Sequence, residues 1–269
     1  MIAEAASING QRKKYSLADA VRLVLPREHG SWSLALEPIA LGLLVAPSRA
    51  GVLLAVAASA GFFLRRPAKI LLAAADPRRS LATLCAGILL CAAVAGLLFA
   101  GRLGGMVQLW PLLPAAIAGA LFIWFDARNA SRGGAAEITG AAAFALLPAT
   151  FATLAGWPAQ NALALAAVML ARSVPTVMLI RVLLRRAKGQ VVSTGTVLLT
   201  VGAATVMIFW LGGQALLPRP VTAISVLLLS RALWYLSPAR FPLTARQLGF
   251  LELFLGVMFL LIAVLAWHL

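Results

Sequence analysis

Nine apolar stretches follow one another along this chain with only short polar connections between them. They run approximately over 26–45, 49–64, 80–100, 107–125, 136–155, 159–180, 194–212, 220–236 and 246–268. In hydrocarbon every backbone N–H and C=O must find its partner within the segment, so stretches of this kind fold as helices. About 20 residues at the helical rise span the ~30 Å apolar core of a bilayer. A chain of 269 residues that is 62% hydrophobic and 12% charged, with mean hydropathy +0.96, is too apolar for a water-soluble domain. The expected fold class is therefore all-α, a polytopic transmembrane bundle of about nine helices. The second and eighth stretches are short, which fits tilted helices or helices that stop short of one face.

Charge placement orients the bundle. The net charge of +15 could suggest nucleic acid, but Lys and Arg fall into short clusters between apolar stretches and not along an aromatic-interleaved surface. Nineteen of them lie in one alternating set of connections, chain ends and adjoining ends of the stretches, and only Arg49, Arg102 and Arg219 in the other, with Arg172 deeper inside a stretch. The positive-inside rule explains that split, excludes nucleic acid as the partner, and predicts the N-terminus inside and the C-terminus outside a cytoplasmic (inner) membrane. Residues 1–25 read as a cytoplasmic tail ending in a short helix on the membrane surface, where Ser16 and Asp19 have capping-box spacing. A cleaved signal peptide is the competing reading, and Glu28 and Glu37 sit badly with it. Residues 26–269 then form a single transmembrane domain, and nothing in the sequence fixes an oligomeric state.

The first helix carries the most unusual residue. Pro26 suits the first helical position and Glu28 favours the positive end of the helix dipole. Glu37 then lies about 16 Å in, near the midplane, on one face with Gly30 and Ser33 and with His29 at its edge. Pro38 leaves the Leu34 carbonyl without its donor, so a kink is expected beside the acid. Three further charges fall within the apolar stretches: Arg172 at about 13 Å and Glu252 at about 10 Å from their cytoplasmic ends, and Arg231 a little over one turn in. The four sum to zero. Buried ionisable groups face the bundle interior or water, so a polar cavity open to the cytoplasm, in which Glu37 faces Arg172, is the economical expectation, and isolated structural ion pairs are the alternative. Glu252 with Arg172 or Arg231 is the fallback pairing.

Two connections complete the candidate site. Residues 62–80, FFLRRPAKILLAAADPRRS, offer Arg65, Arg66 and Lys69 beside a single acid, Asp76. Residues 124–140, WFDARNASRGGAAEITG, offer Asp126, Arg128, Asn129, Arg132 and Glu137. Guanidinium and ammonium clusters suit phosphate or carboxylate groups, and equally the headgroups of anionic membrane lipids. Cys85 and Cys91 sit six apart in one stretch and face different sides of a helix, so neither a disulfide framework nor a metal centre follows, and no cofactor is called for. Thr244 with Gln247 forms a capping box for the last helix. Gly87, Gly96, Gly119, Gly140, Gly202 and Gly256 read as small residues for helix packing.

PREHGSWSLALEP, from Pro26 onward, resembles the opening of the YwiC-like family of bacterial membrane proteins. FLRRPAK, RNASRGGAAEITG and VPTVMLIRVLLRR resemble its later signatures, in the same order. That resemblance implies a membrane protein and no particular reaction. More distantly, nine helices with long basic loops after the second and sixth are similar to the UbiA prenyltransferase architecture, a fold-level analogy. In that family Asp-rich motifs in those loops hold Mg²⁺ against an isoprenoid diphosphate. Here the first loop has only Asp76 and RVLLRRAKGQVVS has no acid, so an enzyme of this kind would be a UbiA-like transferase without its metal carboxylates.

Three readings stay open. In the first, the cavity binds an amphipathic anionic ligand such as an isoprenoid or lipid phosphate, gripped by Arg65, Arg66 and Lys69. If chemistry occurs there, His29 is the candidate acid or base and Glu37 stabilises a developing cation. In the second, Glu37 alternates between Arg172 and a proton and so couples transport to a gradient. The third is a structural or assembly role.

Overall fold

A computed structural model describes residues 15–25, 29–72, 76–128, 133–237 and 244–269, with the backbone alone for 29–31 and 245. Among them there is helix and no strand. In chain order the helices are α1 (Leu17–Val24), α2 (His29–Val45), α3 (Arg49–Leu72), α4 (Arg79–Gly104), α5 (Leu112–Ala127), α6 (Gly134–Ala145), α7 (Leu147–Leu154), α8 (Ala159–Ala187), α9 (Gly195–Gly213), α10 (Arg219–Leu236) and α11 (Ala245–His268), with a 3₁₀ turn over Met106–Leu109 before α5. Each of the nine expected stretches coincides with one of these helices or with a consecutive pair. Seven spans are long and apolar enough to cross a membrane: α3, α4, the 3₁₀ turn with α5, α6 with α7, α8, α9 and α11. α2 adds a shorter apolar helix over Trp32–Val45. α10 has 18 residues and carries Arg219 and Arg231.

The outer surface of the bundle is apolar. Leu84 and Ile88 on α4, Ile123 on α5, Leu199 on α9 and Phe254 on α11 are all more than half exposed. A monomeric soluble protein rarely leaves so much contiguous apolar surface bare, whereas lipid covers it at no cost. The protein is thus a multi-pass membrane protein. Its interior is built instead from small residues, among them Ala145, Ala149, Ala152, Ala162, Ala164 and Ala166 around Leu165 and Met169. Small side chains let helices approach closely, which is how packing substitutes for the missing hydrophobic drive in lipid. Gly96 is the tightest case between α3 and α4: a Cβ there would stand 2.8 Å from the Leu53 carbonyl oxygen.

Three boundaries differ from the sequence reading. The second helix does not end near residue 64 but runs through Pro67 to Leu72, so Arg65, Arg66 and Lys69 ride on its last turns and not in a loop. Pro67 leaves the Phe63 carbonyl without its donor, a loss that neighbouring helices can absorb in a membrane. The sixth predicted helix likewise extends past 180 to Ala187. The fifth is two helices, because Pro148 stands in the first turn after Leu146 and has no N–H for the Phe144 carbonyl. The second piece, α7, is buried on every side and packs against α2, α3 and α8. α2 in turn packs against both α7 and α11, which brings Glu37 against α11. The expected helix start at Pro26 and the charge at Glu28 lie outside the described residues.

Candidate functional site

Four helices place one charge each at a common point. Glu37 comes from α2, Arg172 from α8, Arg231 from α10 and Glu252 from α11. Both arginines are buried, with 3% of Arg172 and 8% of Arg231 exposed. Glu252 Oε2 accepts from Arg231 Nη1 at 2.8 Å and from Arg172 Nη1 at 3.4 Å. The Glu252 main-chain oxygen takes a further bond from Arg172 Nη2 at 3.3 Å. Glu37 is held more loosely, among the described residues by a single ion pair of 3.7 Å from its Oε1 to Arg172 Nη2. Leaving such groups unpaired in hydrocarbon would cost several kcal/mol by most scales, so the pairing keeps all four charges tenable.

A hydroxyl links the two arginines. Thr176 Oγ accepts from Arg172 Nη1 and from Arg231 Nη2, each at 2.9 Å, and donates to the Arg172 carbonyl at 2.5 Å. Tyr235 lies fully buried beside Glu252 and Arg231, its hydroxyl making no hydrogen bond of normal geometry. Arg172 Nε, Arg231 Nε and Glu252 Oε1 are also buried without a hydrogen bond of normal geometry among the described residues. Beside the cluster is a small void of about 30 Å³, lined by Ser33, Leu34, Glu37, Arg172, Ser173, Thr176 and Glu252. That is room for water and not for a phosphate headgroup.

Gly256 completes the site. A Cβ at that position would stand 2.8 Å from the Glu37 carboxyl carbon and 3.2 Å from Arg172 Nη2. The Glu37 carboxylate therefore occupies the space a side chain would need. Thr176, Tyr235 and Gly256 were not legible as site residues, yet one signal points to all three. Each lies four residues after a charge, Thr176 after Arg172, Tyr235 after Arg231 and Gly256 after Glu252, and i+4 residues share a helix face. Ser33 stands in the same relation before Glu37.

The cytoplasmic-edge residues form separate groups. Asp126 on α5 takes Lys69 Nζ at 3.0 Å and Arg65 Nε at 3.5 Å, both from α3, and the Arg65 guanidinium lies 4.6 Å from the Phe122 ring centre. Arg66 reaches the end of α1, donating to the Arg22 carbonyl at 3.0 Å and to the Leu25 carbonyl. Arg128 lies 3.9 Å over the Trp124 ring. Glu137 on α6 pairs with Arg181 on α8 at 2.8 Å. Asp76 pairs with its neighbour Arg78 at 2.9 Å, and hydrogen bonds from Arg78 hold its carboxyl down to about 2. The three acids Asp76, Asp126 and Glu137 are thus engaged by different cations, Arg78, the Lys69–Arg65 pair and Arg181, and none of the groups above joins two of them. Among the described residues no three His, Cys, Asp or Glu gather in one place. The expectations for the imidazole of His29, for Asn129 and for Arg132 fall outside the described side chains.

Comparison with known families finds that residues 25–152 match the family described as YwiC-like protein. That span runs from before α2 through most of α7, and so includes Glu37 and the Arg65–Lys69–Asp126 group but not Arg172, Arg231 or Glu252. No curated protein and no solved structure matches the chain.

Proposed function

We propose that this chain, a multi-pass membrane protein matching the YwiC-like family over residues 25–152, is a proton-coupled transporter in which Glu37 is the proton-binding acid. One observation carries this reading: Glu37 is the least firmly held of the four charges. It has one 3.7 Å ion pair and borders a water-sized void, while Glu252 takes both arginines. Exchanging its arginine for a proton therefore disrupts least. With all four groups charged the cluster is neutral. With Glu37 protonated it carries one net positive charge, which a small anion entering beside Arg172 would cancel, so proton and anion move together. The test uses proteoliposomes with a trapped pH dye and a panel of small anions, each added outside in turn. At least one anion should acidify the lumen with the wild-type protein and fail to do so with Glu37→Gln. Acidification by no anion, or equal acidification with the variant, overturns the reading.

A second reading has its own support. Arg65 and Lys69 share the single carboxylate of Asp126, so the group keeps one net positive charge at the expected inner edge of the bundle. That residual charge suits the phosphate of a membrane lipid or an isoprenoid, held as an amphipathic ligand outside the buried cluster. Native mass spectrometry of gently extracted protein reads it directly. A retained lipid phosphate that survives EDTA and is lost in the Arg65→Gln/Lys69→Gln pair supports it, and loss on EDTA with return on Mg²⁺ would instead favour a metal-assisted site.

A further inference from the structure

Within the proton-coupling reading, we infer that Glu252 is a second proton carrier, joined to Glu37 by water in the void between α2, α8 and α11. The void has about 30 Å³ available, and one water needs roughly 10–15 Å³ by the same measure. A buried water also needs two to four polar partners. The lining supplies the Glu37 carboxylate, the buried Ser173 hydroxyl, and Glu252, whose Oε1 is buried without a hydrogen bond of normal geometry among the described residues. The main chain adds an acceptor: Leu34 lines the void, and Pro38, inside α2, has no N–H to give its carbonyl. Arg172, 3% exposed, lines the void as well, with its Nε unpaired. Orphaned polar atoms of this kind in a polar cavity are what buried water satisfies.

The geometry names the receiving atom, and transfer away from Glu37 needs the entering anion to draw Arg172 off Glu252 first, since two arginines otherwise hold that carboxylate ionised. Glu37 keeps its ion pair through Oε1 to Arg172, while Glu252 commits Oε2 to both arginines and leaves Oε1 without a hydrogen bond of normal geometry among the described residues, with the Tyr235 hydroxyl beside the carboxylate. In the transfer the O–H bond of protonated Glu37 breaks and its proton goes to the water oxygen. The water releases another of its protons to Glu252 Oε1, so the water is unchanged, Glu37 is again an anion and Glu252 is neutral. Among the described residues, the other charged or titratable groups facing these two acids are Arg172 from α8 and Arg231 and Tyr235 from α10. Neutral Glu252 no longer balances Arg231, so the net positive charge passes from beside α2 to beside α10, away from the acid that took up the proton.

The test reads both carboxyls and the water in bilayer-embedded full-length protein. Infrared pH-difference spectra with ¹³C-labelled glutamate should contain a protonated-carboxyl band that disappears in Glu252→Gln, as well as one that disappears in Glu37→Gln. Water-edited solid-state NMR should give transfer from water to Ser173 and Thr176. Because Glu252→Gln could simply unfold the cluster, Ser173→Val is the second variant: it fills the void and removes no charge. It should keep the wild-type melting temperature and the Glu37 band, lose the Glu252 band, and slow any proton uptake at least tenfold. A dry void, or a Glu252 carboxyl that stays ionised while Glu37 titrates, or wild-type behaviour of Ser173→Val, overturns the relay. If the wild-type protein moves no protons with any anion, the transport reading fails by itself, while the spectra still decide whether water joins the two acids.

Discussion

Arg172 carries more of the buried cluster than any other side chain, since it alone contacts both acids and also binds Thr176. Arg172→Gln should therefore strand Glu37, leave Glu252 to Arg231 alone, and cost about 3–5 kcal/mol, the usual range for breaking a buried ion pair. Glu37→Gln removes one long contact next to a void that can hold water, and should cost less, about 1–3 kcal/mol. Thermal melts in a mild detergent check the order, and the double variant should be more stable than the sum of the two losses implies. Additive losses would mean that the two side chains are not energetically coupled. Gly256→Ala should behave differently again. It removes no charge, yet its methyl group would collide with the Glu37 carboxylate, so a loss of about 1–3 kcal/mol is expected from overpacking alone. If Gly256→Ala melts as the wild type does, the close approach of α11 to Glu37 is wrong. The four charges were readable from the sequence because each interrupts an apolar stretch. Gly256 was not, because its role comes from another helix's side chain occupying its empty space, and a glycine in a membrane helix gives the same signal whichever neighbour uses it.

Helices were legible as elements, and their ends less so. Apolar length finds a span, but it stops counting where polarity begins, and that is why α3 and α8 were cut short at Arg65 and Arg181. In both cases the helix continues as a polar extension whose last turns carry the cations that bind acids on α5 and α6. Pro67 and Pro148 carried no weight in the sequence reading, since a proline alone does not tell a tolerated kink from a break. The short helix α1 gives a test at this scale. Its N-terminus is closed by the Ser16–Asp19 capping box, as the spacing suggested, and its far end by Arg66. Between them Leu23 packs on Leu81, Ala82 and Cys85, while Leu17 and Val21 stay exposed on another face. A guanidinium on the last carbonyls satisfies acceptors that a helix end otherwise leaves to water, and also favours the negative end of its dipole. Arg66→Gln should consequently speed amide exchange across residues 19–25 by several-fold and leave α8 and α11 unchanged. Uniform exchange throughout, as in the wild type, would mean that α1 is held by its apolar contact alone.

At the scale of the molecule, the arrangement of α2 and α11 ties the two ends of the bundle together. His268, the last residue of α11, places Nε2 2.8 Å from the Leu44 carbonyl near the end of α2, so the two helices run in the same direction and finish at the same face. The charge count gives that face a side. Nineteen Lys and Arg against three predict that the starts of α2 and α11 are cytoplasmic, and hence that both finish outside. α10 is the weak point in the count, because its two arginines keep it below the hydropathy of the other spans. Arg231, however, meets Glu252 of α11 and Thr176 of α8 inside the bundle, so its charge is compensated by protein and not presented to lipid. An α10 that crosses makes the number of spans odd and puts the chain ends on opposite sides. A C-terminal alkaline phosphatase fusion should then be active and a C-terminal fluorescent protein dark. The converse pair of results would put the C-terminus inside, require one of the nine apolar stretches to turn back without crossing, and relocate Glu37 and Glu252 relative to the side from which their proton arrives.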